Sequence, residues 1–180
     1  MRYLALFGSP RRTGNTAVAL SSFLDGLASK GHEGEMVWLH GEKIAPCTSC
    51  NGCKKDGKGT GECVIPDDME KLYSLTTKAD LLIFAFPIYW WSMPAQVKLY
   101  LDRLYALDYS ALQGKKLFLL MTYEGEDHNS GAELLKSTFR CICEYLEIDF
   151  IGSLGISTGS LPASENAEAL EEAFTLGASV

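Results

Sequence analysis

Positive charge is scarce in this sequence. The chain carries 16 lysines and arginines against 23 aspartates and glutamates, a net charge of −7. Proteins that bind nucleic acid gather basic residues into a stripe or patch. None is present here, so nucleic acid is not expected as a partner. Long apolar runs are missing too. The longest, residues 81–91, is interrupted by Pro87 and falls far short of the ~20 residues that cross a bilayer, so no membrane association is expected. The apolar run at residues 3–7 stops at Gly8-Ser9-Pro10, too early for the core of a secretory signal. The expected compartment is therefore cytoplasmic. Histidine is rare, and His32, His40 and His128 are scattered without metal-ligand spacing, which reads as surface positions.

What is present is an ordinary globular composition. Apolar residues make up 47% and charged residues 22% of 180. This excludes a disordered chain, a coiled coil and a collagen-like fibre, and it predicts one domain over residues 1–180. Five apolar runs, at residues 3–7, 36–39, 81–86, 117–121 and 150–156, read as strands. Those at 3–7, 81–86 and 117–121 do not alternate with polar residues, as expected of strands covered on both faces. Leu20, Phe23, Leu24 and Leu27 follow helical spacing, as do Val97, Leu101, Leu104 and Tyr105, and Leu135, Phe139, Ile142 and Leu146. Ser130 with Glu133 forms a capping-box pattern for the last of these, and Asp67 with Glu70 a weaker one for a helix near residues 69–75. Ala169, Leu170, Ala173 and Phe174 predict a terminal helix stopped by Gly177. Alternating strands and helices predict an α/β three-layer sandwich of flavodoxin-like type. Its five-stranded parallel sheet runs in the order 2-1-3-4-5, with helices on both faces. One irregular insertion, residues 45–66, interrupts the pattern.

Ligands of such sheets bind beyond the carboxyl ends of the strands, near the switch point between strands 1 and 3. The loops that matter therefore start at Gly8, Pro87 and Thr122. The first runs from Gly8 to Thr16 and opens a helix. Its helix N-terminus and Gly14 favour an anion, Ser9, Thr13, Asn15 and Thr16 offer neutral hydrogen bonds, and Arg11 offers a charge-assisted one. No Lys follows Gly14 as a triphosphate-binding loop requires, and no Cys is present to act as a phosphatase nucleophile. A terminal phosphate of a mononucleotide suits this loop better than an empty polar turn, because two arginines and four small polar residues meet there. The third strand runs into Pro87-Ile88-Tyr89-Trp90-Trp91-Ser92. Aromatics at this edge suit a planar apolar ligand such as an isoalloxazine ring, with backbone groups of residues 87–90 facing its heteroatom edge. Packing under the next helix or a subunit contact is the competing reading for Trp91. The fourth strand ends in Thr122-Tyr123-Glu124-Gly125, where Thr122 can donate to a ligand and Gly125 permits a tight turn.

Four of the cysteines cluster as Cys47-x2-Cys50-x2-Cys53-x9-Cys63. Concentration in one segment, rather than dispersal as staples, fits a reduced compartment. The spacing lets three thiolates converge and a fourth complete the set. A [4Fe–4S] cluster, a structural zinc and a metal-free thiol loop are all open readings. Cys141 and Cys143, two apart on a helix, point to opposite sides and read as ordinary packing residues. Gly57-Lys58-Gly59-Thr60-Gly61 follows no predicted strand and is not a dinucleotide loop.

Gly8-Ser9-Pro10-Arg11, Gly14-Asn15-Thr16, Pro87-Ile88-Tyr89-Trp90, Pro94-Ala95, Lys98 and Asp102-Arg103 together resemble the NADPH-dependent FMN reductase family. The cysteines with Asp67-Asp68-Met69 resemble its iron–sulfur-flavoprotein and multimeric-flavodoxin branch, whose last cysteine gap is usually shorter. The resemblance implies bound FMN, with phosphate contacts from Ser9, Arg11, Asn15 and Thr16. It implies ring contacts from Pro87, Ile88, Tyr89 and Trp90, and a far wall from Thr122, Tyr123, Glu124 and Gly125. Thr13, Gly14 and Ser92 join them as candidate cofactor contacts. The implied activity is NAD(P)H-dependent oxidoreduction, with a nicotinamide passing a hydride to the flavin and a small-molecule or redox-protein acceptor taking the electrons. No side chain is expected to act as acid or base. The alternative it implies is an electron carrier with a [4Fe–4S] cluster on the cysteine loop, docking a redox partner. A homodimer or homotetramer with the flavin near a subunit interface is also implied. Lys98 and Asp102, spaced i, i+4, are expected to pair structurally.

Overall fold

The computed structural model describes residues 1–126 and 128–180. In chain order its elements are β1 (Arg2–Phe7), α1 (Asn15–Ser29), β2 (Glu33–Trp38), β3 (Lys54–Lys55), β4 (Lys58–Gly59), α2 (Met69–Lys78), β5 (Leu81–Pro87), α3 (Ala95–Arg103), β6 (Lys116–Tyr123), α4 (Ser130–Leu146), β7 (Asp149–Ser157) and α5 (Ala167–Ser179). The main sheet runs β2-β1-β5-β6-β7 with every neighbouring pair parallel. This is the expected flavodoxin-like order once the small β3–β4 hairpin of the insertion is set aside.

The uninterrupted apolar runs have the anticipated cause. Alternate residues of each central strand feed two different cores. Leu4, Leu6, Leu82, Phe84 and Phe86 pack with Leu72 of α2, Val97 and Tyr100 of α3, and Leu135 and Phe139 of α4. Ala5, Phe7, Ile83, Ala85, Phe118 and Leu120 pack with Leu20, Phe23 and Leu27 of α1 and with Ala169 and Ala173 of α5. Each fully buried side chain of this size contributes roughly 1.5–3 kcal/mol. The sheet is therefore rigid where its carboxyl edge must hold a site.

Several local expectations are corrected. β2 starts at Glu33, earlier than its apolar residues, because it is an edge strand whose first four residues are exposed. β7 extends from Asp149 to Ser157, with a register shift where it passes Leu117 and Phe118. The N-cap of α4 is Asn129, whose side chain accepts the N–H groups of Gly131 and Ala132 at 3.0 and 3.3 Å. Ser130 is already helical, and Glu133 pairs with Lys136 at 2.8 Å instead of closing a box. Asp67 does accept the Met69 N–H at 3.0 Å, but the N-cap of α2 is Asp68. Gly177 does not stop α5, which runs on to Ser179. A Cβ there would lie 2.1 Å from the Phe23 carbonyl oxygen, so this glycine lets α5 press against α1.

Candidate functional site

The carboxyl ends of β1, β5 and β6 border a cavity of about 500 Å³. Ser9, Arg11, Gly14, Asn15 and Thr16 line one end, Pro87, Ile88, Tyr89 and Trp90 the other, and Thr122, Tyr123, Glu124 and Thr158 the side between. The three loops expected to converge do so.

The first loop is shaped from within. The buried Ser9 accepts the Arg11 N–H on its hydroxyl at 3.2 Å, folding the turn back on itself. Trp38, ending β2, donates its indole N–H to the Ser9 carbonyl at 2.8 Å, and the Arg12 guanidinium sits 3.9 Å from the centre of that indole. A Cβ on Gly8 would fall 2.3 Å from Val97 Cγ2, so only glycine lets the loop leave β1 this close to α3. Gly14 is the N-cap of α1. No side chain caps the helix, and its first turn holds no acidic residue. That end of α1 thus presents unpaired N–H groups and a partial positive charge.

Two expected phosphate ligands have other partners. Asn15 Oδ1 accepts the Ala163 N–H at 3.0 Å, which straps the segment after β7 over α1. Thr16 and Thr122 are both buried, with hydroxyl oxygens 2.7 Å apart. One hydroxyl donates to the other, so the proton of the accepting hydroxyl is still available to a ligand. This bond ties the phosphate end of the cavity to β6.

The aromatic segment is a tight turn. Tyr89 and Ser92 exchange both backbone hydrogen bonds, at 2.9 and 3.0 Å, with Trp90 and Trp91 between them at φ 49° and 59°. That is the geometry of a two-residue type I′ turn. The Ile88 N–H donates to the Thr122 carbonyl at 2.8 Å. Among the described residues, only the Trp90 N–H of residues 88–90 lacks a protein acceptor, which narrows the expected backbone N–H donors to one. Trp90 is 90% exposed at the cavity mouth. Trp91 turns away and donates its indole N–H to Ser130 Oγ at 2.8 Å.

Thr13, Ser92 and Gly125 do not line the cavity. Thr13 is exposed on the outer side of the loop, and Ser92 closes the aromatic turn. Gly125 has no left-handed backbone; it makes room for the Asn129 amide, 2.7 Å from where a Cβ would stand. Thr158 was missed. Its N–H donates to the Tyr123 carbonyl at 2.7 Å, and nothing local marks it beyond its place after the weakest apolar run. His40, expected at the surface, is half-buried and stacks on Trp38 at 6.3 Å. Burial lowers its pKa more than a bond to the Gly8 backbone raises it.

These residues fit a cofactor with a phosphate at one end and a flat ring at the other. An uncapped helix end and Arg11 face the first, and an aromatic turn with one spare N–H faces the second. Residues 1–148 match the NADPH-dependent FMN reductase family. This chain belongs to that family. It is 35% identical over 126 residues to an iron–sulfur flavoprotein of Archaeoglobus fulgidus, covering 69% of this chain and 56% of the relative. It is 31% identical over 166 residues to an iron–sulfur flavoprotein of Methanocaldococcus jannaschii, covering 89% and 80%. The chain spans about half the length of several curated relatives it matches. Among solved structures, Smu.1420 from Streptococcus mutans superimposes with a TM-score of 0.77 at 23% identity over 100% of both chains. An FMN-dependent NADH-azoreductase from Bacillus anthracis, in complex with FMN, superimposes with 0.69 at 12% identity over 99% and 97%. These two establish the shared fold.

In this FMN reductase-family chain the cysteines border a second cavity, of about 480 Å³. Cys47, Cys50, Cys53 and Cys63 line it with Asp102 and Tyr105 of the α3 end. All four are free thiols; Cys53 is buried, Cys63 half-buried, and Cys47 and Cys50 exposed. Burial and the neighbouring Cys63 push the Cys53 thiol pKa up, whereas hydrogen bonds from the Gly52 backbone and the Thr48 side chain pull that of Cys50 down. Among the described residues, no three His, Cys, Asp or Glu side chains stand close enough to share a metal ion. The long gap between Cys53 and Cys63 is taken up by the β3–β4 hairpin. It docks through the Gly61 N–H on the Ala106 carbonyl at 2.9 Å and through Gly59 against Leu107. The thiols therefore surround a space without converging on one point. Cys141 and Cys143 do point to opposite sides of α4, but only the buried Cys143 is a packing residue; Cys141 is exposed. Lys98 and Asp102 pair at 2.6 Å. No helix among the described residues is long and apolar enough to cross a membrane.

Proposed function

We propose that this protein is an FMN-dependent NAD(P)H oxidoreductase that passes electrons to a small-molecule or redox-protein acceptor. The observation that carries the reading is one cavity with the uncapped α1 N-terminus at one end and the Tyr89–Trp90 turn at the other. Bound there, FMN supplies the hydride acceptance and electron release that amino-acid side chains lack. The chain supplies placement. The α1 amides, Arg11 and the Thr16–Thr122 pair hold the phosphate end, and the Trp90 N–H donates to the ring edge. Tyr89 and Trp90 keep water from its face.

The test is an absorption spectrum of the purified protein together with steady NAD(P)H oxidation. A two-band yellow spectrum and sustained turnover are expected. Removing a charge-assisted bond costs about 1.5–3 kcal/mol, so Arg11→Ala with Thr16→Ala should weaken FMN binding at least tenfold. Unchanged retention in that double variant refutes the site.

A second reading, an electron carrier with a [4Fe–4S] cluster on the cysteine loop, has two supports. Relatives at 35% and 31% identity are named iron–sulfur flavoproteins, and four cysteines border one cavity. The acidic net charge of −7 suits a basic protein partner. Metal analysis of anaerobically purified protein separates the readings. About four irons per flavin, with little steady NAD(P)H oxidation, selects the carrier. The exposed Trp90 beside the cavity supports burial at a subunit interface in a cytoplasmic homodimer or homotetramer. A single sedimenting species of 19.7 kDa would exclude that assembly.

A further inference from the structure

The insertion 45–66 leaves the fold after β2 and returns before α2, and both of its ends close on one side chain. Arg103, the last residue of α3, is 1% exposed. Its guanidinium donates to the two carboxylate oxygens of Asp67 at 2.6 and 3.1 Å, to the Ala45 carbonyl at 2.8 Å and to the Ile65 carbonyl at 3.4 Å. Asp67 in turn accepts the Ala45 N–H at 2.9 Å and the Met69 N–H at 3.0 Å. Tyr73 donates its hydroxyl to the Arg103 carbonyl at 3.0 Å, fixing the helix end itself. The departing and returning chains are thus gripped by a single planar fork. Only a guanidinium fans its donors this way. A buried ion pair gives little net stability over apolar residues of the same volume, so what this one adds is a fixed location for both ends of the loop.

All four clustered cysteines lie between those ends. The cavity they border is completed by Asp102 and Tyr105, the neighbours of Arg103 in sequence. α3 begins at Ala95, just beyond the Trp90–Trp91 turn, and its nine residues rise about 13 Å. One rigid helix therefore starts beside the mouth of the flavin-sized cavity and ends at the clasp of the thiol loop. We propose that Arg103 is a positioning residue for that loop, holding Cys47, Cys50, Cys53 and Cys63 around one space at a set distance from the first cavity. This inference stands whether or not FMN is the ligand of the first cavity.

Site-resolved alkylation of the reduced, full-length protein by iodoacetamide tests it, with each cysteine's rate followed by mass spectrometry. In the wild type the exposed Cys47, Cys50 and Cys141 react fast, and Cys53 and Cys63 more slowly. Cys143, buried beneath α4, reports loss of the whole fold. Arg103→Lys keeps the charge but not the fork, and Asp67→Asn keeps the shape but not the charge. Both variants should accelerate Cys53 and Cys63 at least tenfold while Cys143 stays slow. Rates at Cys53 and Cys63 that remain at the wild-type value overturn the assignment. So does a rise that merely keeps step with Cys143 in both variants, since general unfolding then accounts for it.

Discussion

Thr16 on α1 and Thr122 on β6, 106 residues apart in the chain, depend on each other, being buried with their hydroxyls 2.7 Å apart. Replacing either one by Val strands its partner's hydroxyl, at about 1–3 kcal/mol. Replacing both should cost less than the sum, because the second change removes the stranded group. Urea denaturation of the flavin-free protein measures that cycle. Asp67 offers a pH test. Burial raises its carboxyl pKa, but the Arg103 bond and the Ala45 and Met69 N–H groups outweigh this and hold it below the ordinary 3.8. A depressed folded value means that its contribution is present above about pH 3.8 and is lost as pH falls below it. Asp67→Asn should therefore flatten the acid limb of a stability profile without adding a new transition. At this scale the sequence was legible in residue type and silent on partners. Ser9, Arg11 and Thr16 were placed at the cavity by their position after a strand. Asn15 facing Ala163, and Arg103 facing Asp67, were not, because those partners lie far away in the chain and no spacing encodes them.

Element boundaries follow the same division. The strands of the sheet interior were legible because burial on both faces leaves an unbroken apolar record. β2 was half hidden because an exposed edge strand needs apolar residues only near its end. The α4 start was misplaced by one residue, since Asn129 and Ser130 are both competent caps and only the backbone, extended at Asn129, decides. Asn129→Ala should accordingly cost about 1 kcal/mol, and Ser130→Ala should leave the helix end intact while releasing the Trp91 indole. Gly177 illustrates the harder case. A glycine near a chain end reads as a stop, yet this one serves contact, with Gly26 on α1 doing the same against the Phe174 carbonyl. Gly177→Ala forces α1 and α5 apart and should destabilise by about 1–3 kcal/mol, which thermal melting of the variant would register.

For the molecule as a whole, the parallel sheet sets function by geometry: everything at its carboxyl edge converges, whatever its distance in sequence. That rule made the first cavity legible. It says nothing of the insertion, whose shape depends on the β3–β4 hairpin and on one buried arginine. Alkali should expose the fold's dependence on the core beneath α4. Burial pushes the Cys143 thiol from an ordinary 9.0 to about 11. A raised folded value means that the stabilisation is complete below pH 9 and fades as pH climbs towards 11. Cys143→Ala should lose less stability than the wild type across that interval. Two consecutive tryptophans in left-handed backbone, at residues 90 and 91, are an unfavourable way to close a turn that Asn-Gly would close without strain. A laboratory screen for heat resistance would converge on this pair early, with Trp90→Asn gaining about 2–4 °C. The hardier clones would lack the indole at the cavity mouth, so on the proposed function durability would be gained at the expense of the cofactor's shelter at this one turn.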